Sequence, residues 1–282
     1  MRLVPKTSIK RDYSLPPRAI FAYFPCNKLS SFMRVFLILF SKEFKNFFLT
    51  PFGWVILGLV SLMQGLSMTT AMEKMKDAPL SENFLFIAFS SPNFWFYFLF
   101  IFPLLTMRLF AEEQKTGTLE TLMTAPVTSA QVVLSKYAAS FAFYSLLWSP
   151  ILLHLKIFTA VTGNPPPVEM GHLVATYAIL LLIGSFLLAI GCFASTLSSS
   201  QIVAGIITIA MIVILFFLGF VPYYTGEGFQ AVSVFHYVAI QEHLSLFTRG
   251  VIDSRPIVYY LSMAAFFLFL THLTLDFRRW KS

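Results

Sequence analysis

Long apolar stretches separated by short polar ones dominate this chain. Six of them are long enough to cross a bilayer core of about 30 Å, which takes roughly 20 apolar residues in a helix. The fourth and fifth share one charge-free run that is too long for a single crossing, so we expect them to be separated at Ser198–Ser200. The pattern predicts an all-α polytopic membrane protein. Its predicted spans are 51–72, 92–110, 129–155, 172–196, 201–224 and 256–275.

A helical period precedes the first span, over residues 33–49. Phenylalanines fall on one face and polar residues on the other, which is typical of an amphipathic interfacial helix whose rings face acyl chains. A cytoplasmic extension of the first span is the alternative interpretation. Residues 1–31 form a basic, proline-punctuated tail, and residues 32–282 are predicted to form one six-span domain. The interfacial residues with an expected role are Phe36, Phe40, Lys42, Glu43, Phe44 and Lys45.

The segment between the second and third spans, residues 108–127, is polar and capable of forming a helix; we call it the polar island. A turn between two spans needs only a few polar residues, so this longer segment predicts a contact with a partner. Thr128 and Gln131 have the spacing of a capping box at the start of the next span. Residues 225–255 are also longer than a turn, and they predict short helices at the outer end of spans 5 and 6.

Composition and charge agree with a membrane location. Hydrophobic residues make up 57% of the chain and charged residues 12%, against about 25% charged in soluble domains. The net charge of +7 does not indicate nucleic-acid binding, because no basic stripe is interleaved with aromatic residues in a polar domain. With the N-terminus inside, fifteen of the 20 Lys and Arg residues are cytoplasmic. The positive-inside rule therefore predicts cytoplasmic termini and a cytoplasmic island.

The sequence favours no catalytic chemistry in this chain. No glycine is followed by lysine, so the phosphate-binding loop G-x-x-x-x-G-K-[ST] is absent and we expect no ATP hydrolysis here. Glu112 and Glu113 invite comparison with a Glu-Glu-x-x-x-Arg protease helix, but Gly117 stands at the arginine position. A six-span intramembrane hydrolase that uses these glutamates is one alternative function. An ion-coupled secondary carrier is another, disfavoured because no Asp, Glu, Lys or Arg lies near the middle of a predicted span.

Histidines and cysteines do not predict a metal site. His236 and His243 would share a helix face, but two histidines seven residues apart rarely suffice as ligands. Cys26 and Cys192 lie far apart in sequence, on or near the cytoplasmic side, where a disulfide is not expected. Small residues form helix faces that allow a neighbouring helix to approach closely. We interpret these faces as packing surfaces within one subunit, and a subunit interface is the alternative. The small residues are Ser61, Gly65, Thr69, Gly184, Gly191 and Ser195.

Several short motifs of the island occur together. They are Glu112-Glu113, Gly117-Thr118-Leu119-Glu120, Leu122 and Pro126-Val127. In this combination they resemble the cytoplasmic loop signature of type-2 ABC exporter permeases, and the interfacial helix is similar to that family's connecting helix. The resemblance extends over about residues 33–281, with Ser135 where relatives often have glycine. Three further motifs resemble the branch of gliding-motility-associated and copper-site-maturation permeases: Phe247–Asp253, Tyr259–Ser262 and Arg278–Trp280.

This resemblance implies a function and partners. The chain would be the membrane-spanning subunit of an ATP-driven exporter in a bacterial inner membrane, forming the path as a homo- or heterodimer. A separate ABC ATP-binding subunit would hold ATP and Mg, while this chain would bind no cofactor. Residues 118–124 would form a coupling helix that docks on that subunit, with Leu119 and Leu122 as apolar anchors and glutamates facing basic residues. A second contact would use Lys42, Glu43 and Lys45, and membrane lipid and an outer-side accessory protein would be further partners.

Overall fold

The computed structural model describes residues 28–77, 84–124, 127–166, 168–221 and 235–279. Every regular element in these ranges is a helix. In chain order the helices are α1 (Lys28–Leu49), α2 (Pro51–Asp77), α3 (Phe84–Phe89), α4 (Pro92–Thr106), α5 (Ala111–Thr116), α6 (Thr118–Thr124), α7 (Ser129–Leu147), α8 (Pro150–Thr162), α9 (Met170–Leu197), α10 (Gln201–Leu218), α11 (Ile240–Thr248) and α12 (Ser254–Arg279).

Six stretches of these helices are long and apolar enough to cross a membrane. The all-α, six-span fold predicted from the sequence is therefore confirmed. Because the spans alternate in direction, the polar island and the C-terminal end of α12 lie at the same end of the bundle, which we call the island end. Helices α3 and α11 lie at the opposite end. The spans are Pro51–Met75, Pro92–Thr116, Ser129–Thr162, Met170–Leu197, Gln201–Leu218 and Ser254–Arg278.

Helix α9 is at the centre of the bundle. It contacts α4, α7, α10, α11 and α12, and almost all of its residues from Ile183 to Thr196 are buried. The outer helices instead expose large apolar side chains, as expected where a span faces acyl chains on one side and protein on the other. These exposed residues include Val55, Leu62, Ile206, Phe217, Val258 and Phe266.

Helices of the structure begin at the first residue of four predicted spans, namely Pro51, Pro92, Ser129 and Gln201. The capping box at the start of α7 is present: Thr128 Oγ1 accepts from the Gln131 N–H, and Gln131 Oε1 accepts from the Thr128 N–H. Residues 198–200 separate α9 from α10 as predicted. The regular helices α4 and α10 end earlier than the predicted spans did, at Thr106 and Leu218. The predicted tail up to residue 27, with Cys26, and residues 222–234 lie outside the described residues.

Small residues of α9 allow close packing inside the subunit. An ideal Cβ on Gly184 would lie 2.7 Å from the hydroxyl oxygen of Tyr144 and closer still to two of its ring carbons. Gly191 lies in the same way against Thr106 of α4. At these two positions the interpretation as packing within one subunit is confirmed.

The third span is not the single helix predicted over residues 129–155. It breaks at residues 148–149 and continues as α8 to Thr162. Pro150 has no N–H, and the Ile151 N–H bonds to the Trp148 carbonyl instead of continuing the α-helical ladder. The carbonyl of Leu147 is thereby left without its helical partner. The Gln64 amide of α2 donates to this carbonyl at 2.9 Å, so a neighbouring span stabilises the break.

We expect Gln64→Met to lower the free energy of unfolding by about 1–3 kcal/mol, because a buried carbonyl loses its donor while the side-chain volume is nearly unchanged. Thermal unfolding in detergent micelles measures the effect. Thr69→Val on the same helix is the control, since the exposed Thr69 hydroxyl bonds only to a carbonyl of its own helix. Equal shifts for the two variants would contradict a role of Gln64 at the break.

Candidate coupling site

The polar island folds into the two short helices α5 and α6, joined at Gly117. This glycine has φ 72°, a left-handed conformation that L side chains rarely adopt, and its N–H bonds to the Gln114 carbonyl to close α5. The hydroxyls of Thr116 and Thr118 lie 2.9 Å apart across the turn. The glycine of the island motif is therefore a turn residue that allows a second helix to begin at once.

The start of α5 is held by the end of the central helix. The first N–H groups of a helix have no partner within it. Here the Ser195 hydroxyl of α9 accepts from the N–H groups of Phe110 at 3.1 Å and Ala111 at 3.2 Å. The Gln114 amide of α5 donates to the Thr196 carbonyl at 3.2 Å. Helix α5 is thus bonded to the span at the centre of the bundle.

The last helix completes this attachment. The Arg278 guanidinium of α12 donates to the Gln114 side-chain oxygen at 3.0 Å and to the Thr196 carbonyl at 2.9 Å. Nearby, the Ser129 hydroxyl at the start of α7 donates to the Asp276 carboxylate. The island end of the bundle is therefore cross-linked by polar contacts between α5, α7, α9 and α12.

A set of four charged residues, the Lys136 cluster, connects the island to α1. The Lys136 ammonium of α7 lies 3.0 Å from Glu43 Oε1 of α1 and 2.9 Å from Glu113 Oε1 of α5. The fourth member, Lys42, is exposed and lies 3.6 Å from Glu43 and 4.0 Å from Glu113. The Lys136 side chain is only 4% exposed. Its desolvated charge therefore depends on both carboxylates, and the cluster joins three helices.

The predicted glutamates of the island differ in their surroundings. Glu113 points inward to Lys136 and is 15% exposed, whereas Glu112 is exposed. Glu113 and Glu43 are both paired with Lys136 within the chain, and their expected contact with a partner stays a prediction. Glu120 lies on α6, but its side chain and all of Pro126 lie outside the described residues. Gly117 and Thr118 are exposed.

The apolar side of α6 also faces the chain itself. Leu119 is 6% exposed, and Leu122 is partly buried beside it. In this structure both side chains hold α6 on the bundle, and their expected role as anchors for a partner stays a prediction. The cluster into which they pack consists of Leu109, Phe110, Val132, Val133, Cys192 and Leu275.

Helix α1 packs on α7 through its phenylalanine face. Phe36, Phe40 and Phe44 stack in sequence, and the Phe47 ring lies 4.6 Å from that of Phe143 on α7. The prediction that this face points to acyl chains is therefore wrong for its C-terminal part. The exposed apolar residues of α1 are Met33, Leu37, Ile38 and Leu49, and Lys42 and Lys45 are exposed too.

The alternative chemistries gain no support from this geometry. Glu112 and Glu113 do not converge on one site, because only the latter is bound to Lys136. His236 Nδ1 lies 2.7 Å from the Glu242 carboxylate, whereas His243 Nδ1 lies 2.8 Å from the Tyr260 hydroxyl. Burial lowers the pKa of His243. Among the described residues no group of three or more His, Cys, Asp or Glu could hold a metal ion.

Sequence reasoning missed four residues that organise the site: Gln114, Lys136, Ser195 and Arg278. A lysine seven residues inside a predicted span was a usable signal, because a cation there requires a carboxylate partner. Which carboxylates it binds does not follow from the spacing, since Glu43 is 93 residues away.

A comparison with models of protein families shows the family of this chain. The model for the ABC-2 family transporter protein matches residues 39–219, which is more than half of the chain. The chain belongs to the ABC-2 transporter family. It is thus a membrane-spanning permease subunit of an ABC transporter, as the type-2 resemblance implied, and ABC-2 permeases work in general with an ATP-binding subunit. No curated protein matches this ABC-2 chain.

Proposed function

We propose that this ABC-2 permease forms a transport path as a dimer and that a separate ATP-binding subunit docks on its polar island. The observation that carries the docking proposal is the structure of α5 and α6. These short helices leave the spans, pack on them by one side, and leave Glu112, Lys115, Gly117 and Thr118 exposed on the other. A short helix pair that is exposed on one side and bonded to the spans on the other can transmit a movement of a bound partner to the spans.

Movement of α5 would act on several helices at once. Glu113 joins α5 to α1 and α7 through Lys136, and Ser195 and Thr196 join it to α9. Arg278 adds α12 to the same unit. Nucleotide-driven motion of the ATP-binding subunit would therefore reach the central helix directly, without passing through a flexible loop.

The proposal also includes the orientation of the chain in the membrane and its branch within the family. The excess of Lys and Arg at the island end supports a cytoplasmic island and cytoplasmic termini, in a bacterial inner membrane. The motifs Phe247–Asp253 and Arg278–Trp280 support a place near the gliding-motility-associated and copper-site-maturation permeases. An accessory partner on the outer side would meet α11, whose polar residues lie at the end opposite to the island.

Charge reversal on the island tests the docking proposal. We expect Glu112→Lys and Glu120→Lys, made singly and together, to reduce co-purification of the ATP-binding subunit, because basic residues of that subunit would then meet lysines. The double variant is expected to lower recovery roughly tenfold, as for the loss of about 1.4 kcal/mol of binding free energy. Quantitative pull-down from solubilised membranes that contain both subunits measures the recovery.

The control is Glu169→Lys, which makes the same charge change at the opposite end, where the Glu169 side chain is 84% exposed. Its recovery of ATP-binding subunit should equal that of the unaltered chain. Full recovery of the ATP-binding subunit and full ATP-driven turnover in the double island variant would contradict the docking proposal.

A further inference from the structure

A cavity of about 120 Å³ lies at the island end, where α1, the start of α2 and the end of α4 meet. Its inner wall is apolar and its mouth is polar, formed by Asn46, Thr50, Arg108 and Glu112 together with the paired Glu43. We propose that this cavity binds the head group of a membrane phospholipid that carries both a phosphate and a primary ammonium. Arg108 would take the phosphate, and Glu112 the ammonium.

The environment of the Arg108 side chain is the first reason for this proposal. Its guanidinium carbon lies 4.1 Å from the centre of the Phe52 ring, and its Nε is enclosed without a hydrogen-bond partner among the described residues. An enclosed guanidinium donor without an acceptor is unfavourable. Stacking on Phe52 uses the face of the group and leaves its two terminal Nη groups, whose N–H donors fit a phosphate in a bidentate manner.

The position of the cavity is the second reason. Helix α2 begins at Pro51 and α4 ends at Thr106, so the cavity lies where two spans reach the boundary between hydrocarbon and water. Its apolar wall contains Phe47, Phe52, Leu104, Leu105 and Leu109. A molecule that fits here has an apolar side and a charged side, as a phospholipid has at its glycerol backbone.

The charges around the cavity select the kind of head group. Glu43 is neutralised by Lys136 and Lys42, which leaves Arg108 and Glu112 as one positive and one negative group at the mouth. A purely anionic head group would meet Glu112 unfavourably, whereas a zwitterion matches both. A primary ammonium can donate hydrogen bonds to a carboxylate, but a quaternary ammonium cannot.

Pairing of Arg108 with Glu112 is the competing account, since the two residues are four apart. Such pairs form readily on one helix, but α4 ends at Thr106 and α5 starts at Ala111, with turns between them. A change of rotamer could still bring the two groups together, so the test must separate self-pairing from lipid binding.

Native mass spectrometry of the purified full chain in neutral detergent provides the test. The chain is titrated with phosphatidylethanolamine, phosphatidylcholine or phosphatidylglycerol of identical acyl chains, and with soluble phosphoethanolamine. We expect one phosphatidylethanolamine to bind with an affinity that Arg108→Gln lowers roughly tenfold, as for the loss of one charge-assisted hydrogen bond. Glu112→Gln should remove the preference over phosphatidylcholine and phosphatidylglycerol while leaving binding of all three lipids.

Arg34→Gln is the matched control, because Arg34 is an exposed cation of α1 outside the cavity, and this variant should bind lipid like the unaltered chain. Arg108→Lys, which keeps the charge, gives a readout if Arg108→Gln does not fold. Equal lipid affinity of the unaltered chain and both Arg108 variants would overturn the proposal and favour self-pairing. Tight binding of soluble phosphoethanolamine would overturn the assignment to a lipid. No ATP-binding subunit is present, so neither result bears on docking.

Discussion

Replacing Lys136 with methionine is expected to lower the free energy of unfolding by about 3–5 kcal/mol, the range found when one partner of a buried ion pair is removed. Glu43 and Glu113 would then face each other at close range beside the exposed Lys42. Their repulsion would separate α1 from α5. Thermal unfolding of the purified protein in detergent, followed by circular dichroism, measures the change.

Two further variants make this prediction specific. Lys115→Met removes the same charge from an exposed position of α5, and we expect it to have little effect. The triple variant Lys136→Met, Glu43→Gln, Glu113→Gln removes all three buried charges and should regain most of the stability, since neutral replacements of a whole buried ion group are often tolerated. A triple variant no more stable than Lys136→Met would refute the electrostatic explanation.

Introducing valine at Gly184 is expected to destabilise the bundle by about 3 kcal/mol, at the upper end of typical overpacking effects. The new Cβ alone would overlap the ring of Tyr144, which is fully buried. Tyr144 cannot move without cost, because its hydroxyl donates to the Leu180 carbonyl at 2.9 Å. The measurement is again the unfolding transition in detergent, together with the yield of folded protein.

Gly58→Val is the control, because a Cβ at this lipid-facing position of α2 meets nothing within 4 Å. We expect little change or slight stabilisation there, since glycine disfavours a helix interior. Adding Tyr144→Leu to Gly184→Val should restore part of the lost stability by vacating the ring's volume. If Gly58→Val and Gly184→Val prove equally harmful, close approach of α7 and α9 is not the cause.

The spans could be predicted because the hydrocarbon core of a membrane disfavours charged side chains in every segment that crosses it. Runs of uncharged residues therefore predicted the number of spans, and local signals such as the Thr128–Gln131 capping box predicted a helix start. The break after Leu147 was missed, although Pro150 is visible in the sequence. Proline can begin a helix as well as interrupt one, and the compensating Gln64 lies 83 residues away.

The island was recognised from its polarity, but which of its residues pack on the bundle was not predicted. Leu119 was expected to meet a partner, and it packs instead into the cluster with Val132 and Leu275. Glu113 was expected to face outward, and it binds Lys136. A short helix of seven residues has too few positions to reveal which face is covered, so only contacts between distant segments decide it.

The contacts of the island can form only in a certain order during synthesis of the chain. Glu43 and Glu113 are synthesised before Lys136, so the two carboxylates lack their buried ion-pair partner until that lysine has been added. Arg278 emerges last of all and completes the bonds to Gln114 and Thr196. The polar contacts at the island end are therefore complete only after α12 has been synthesised.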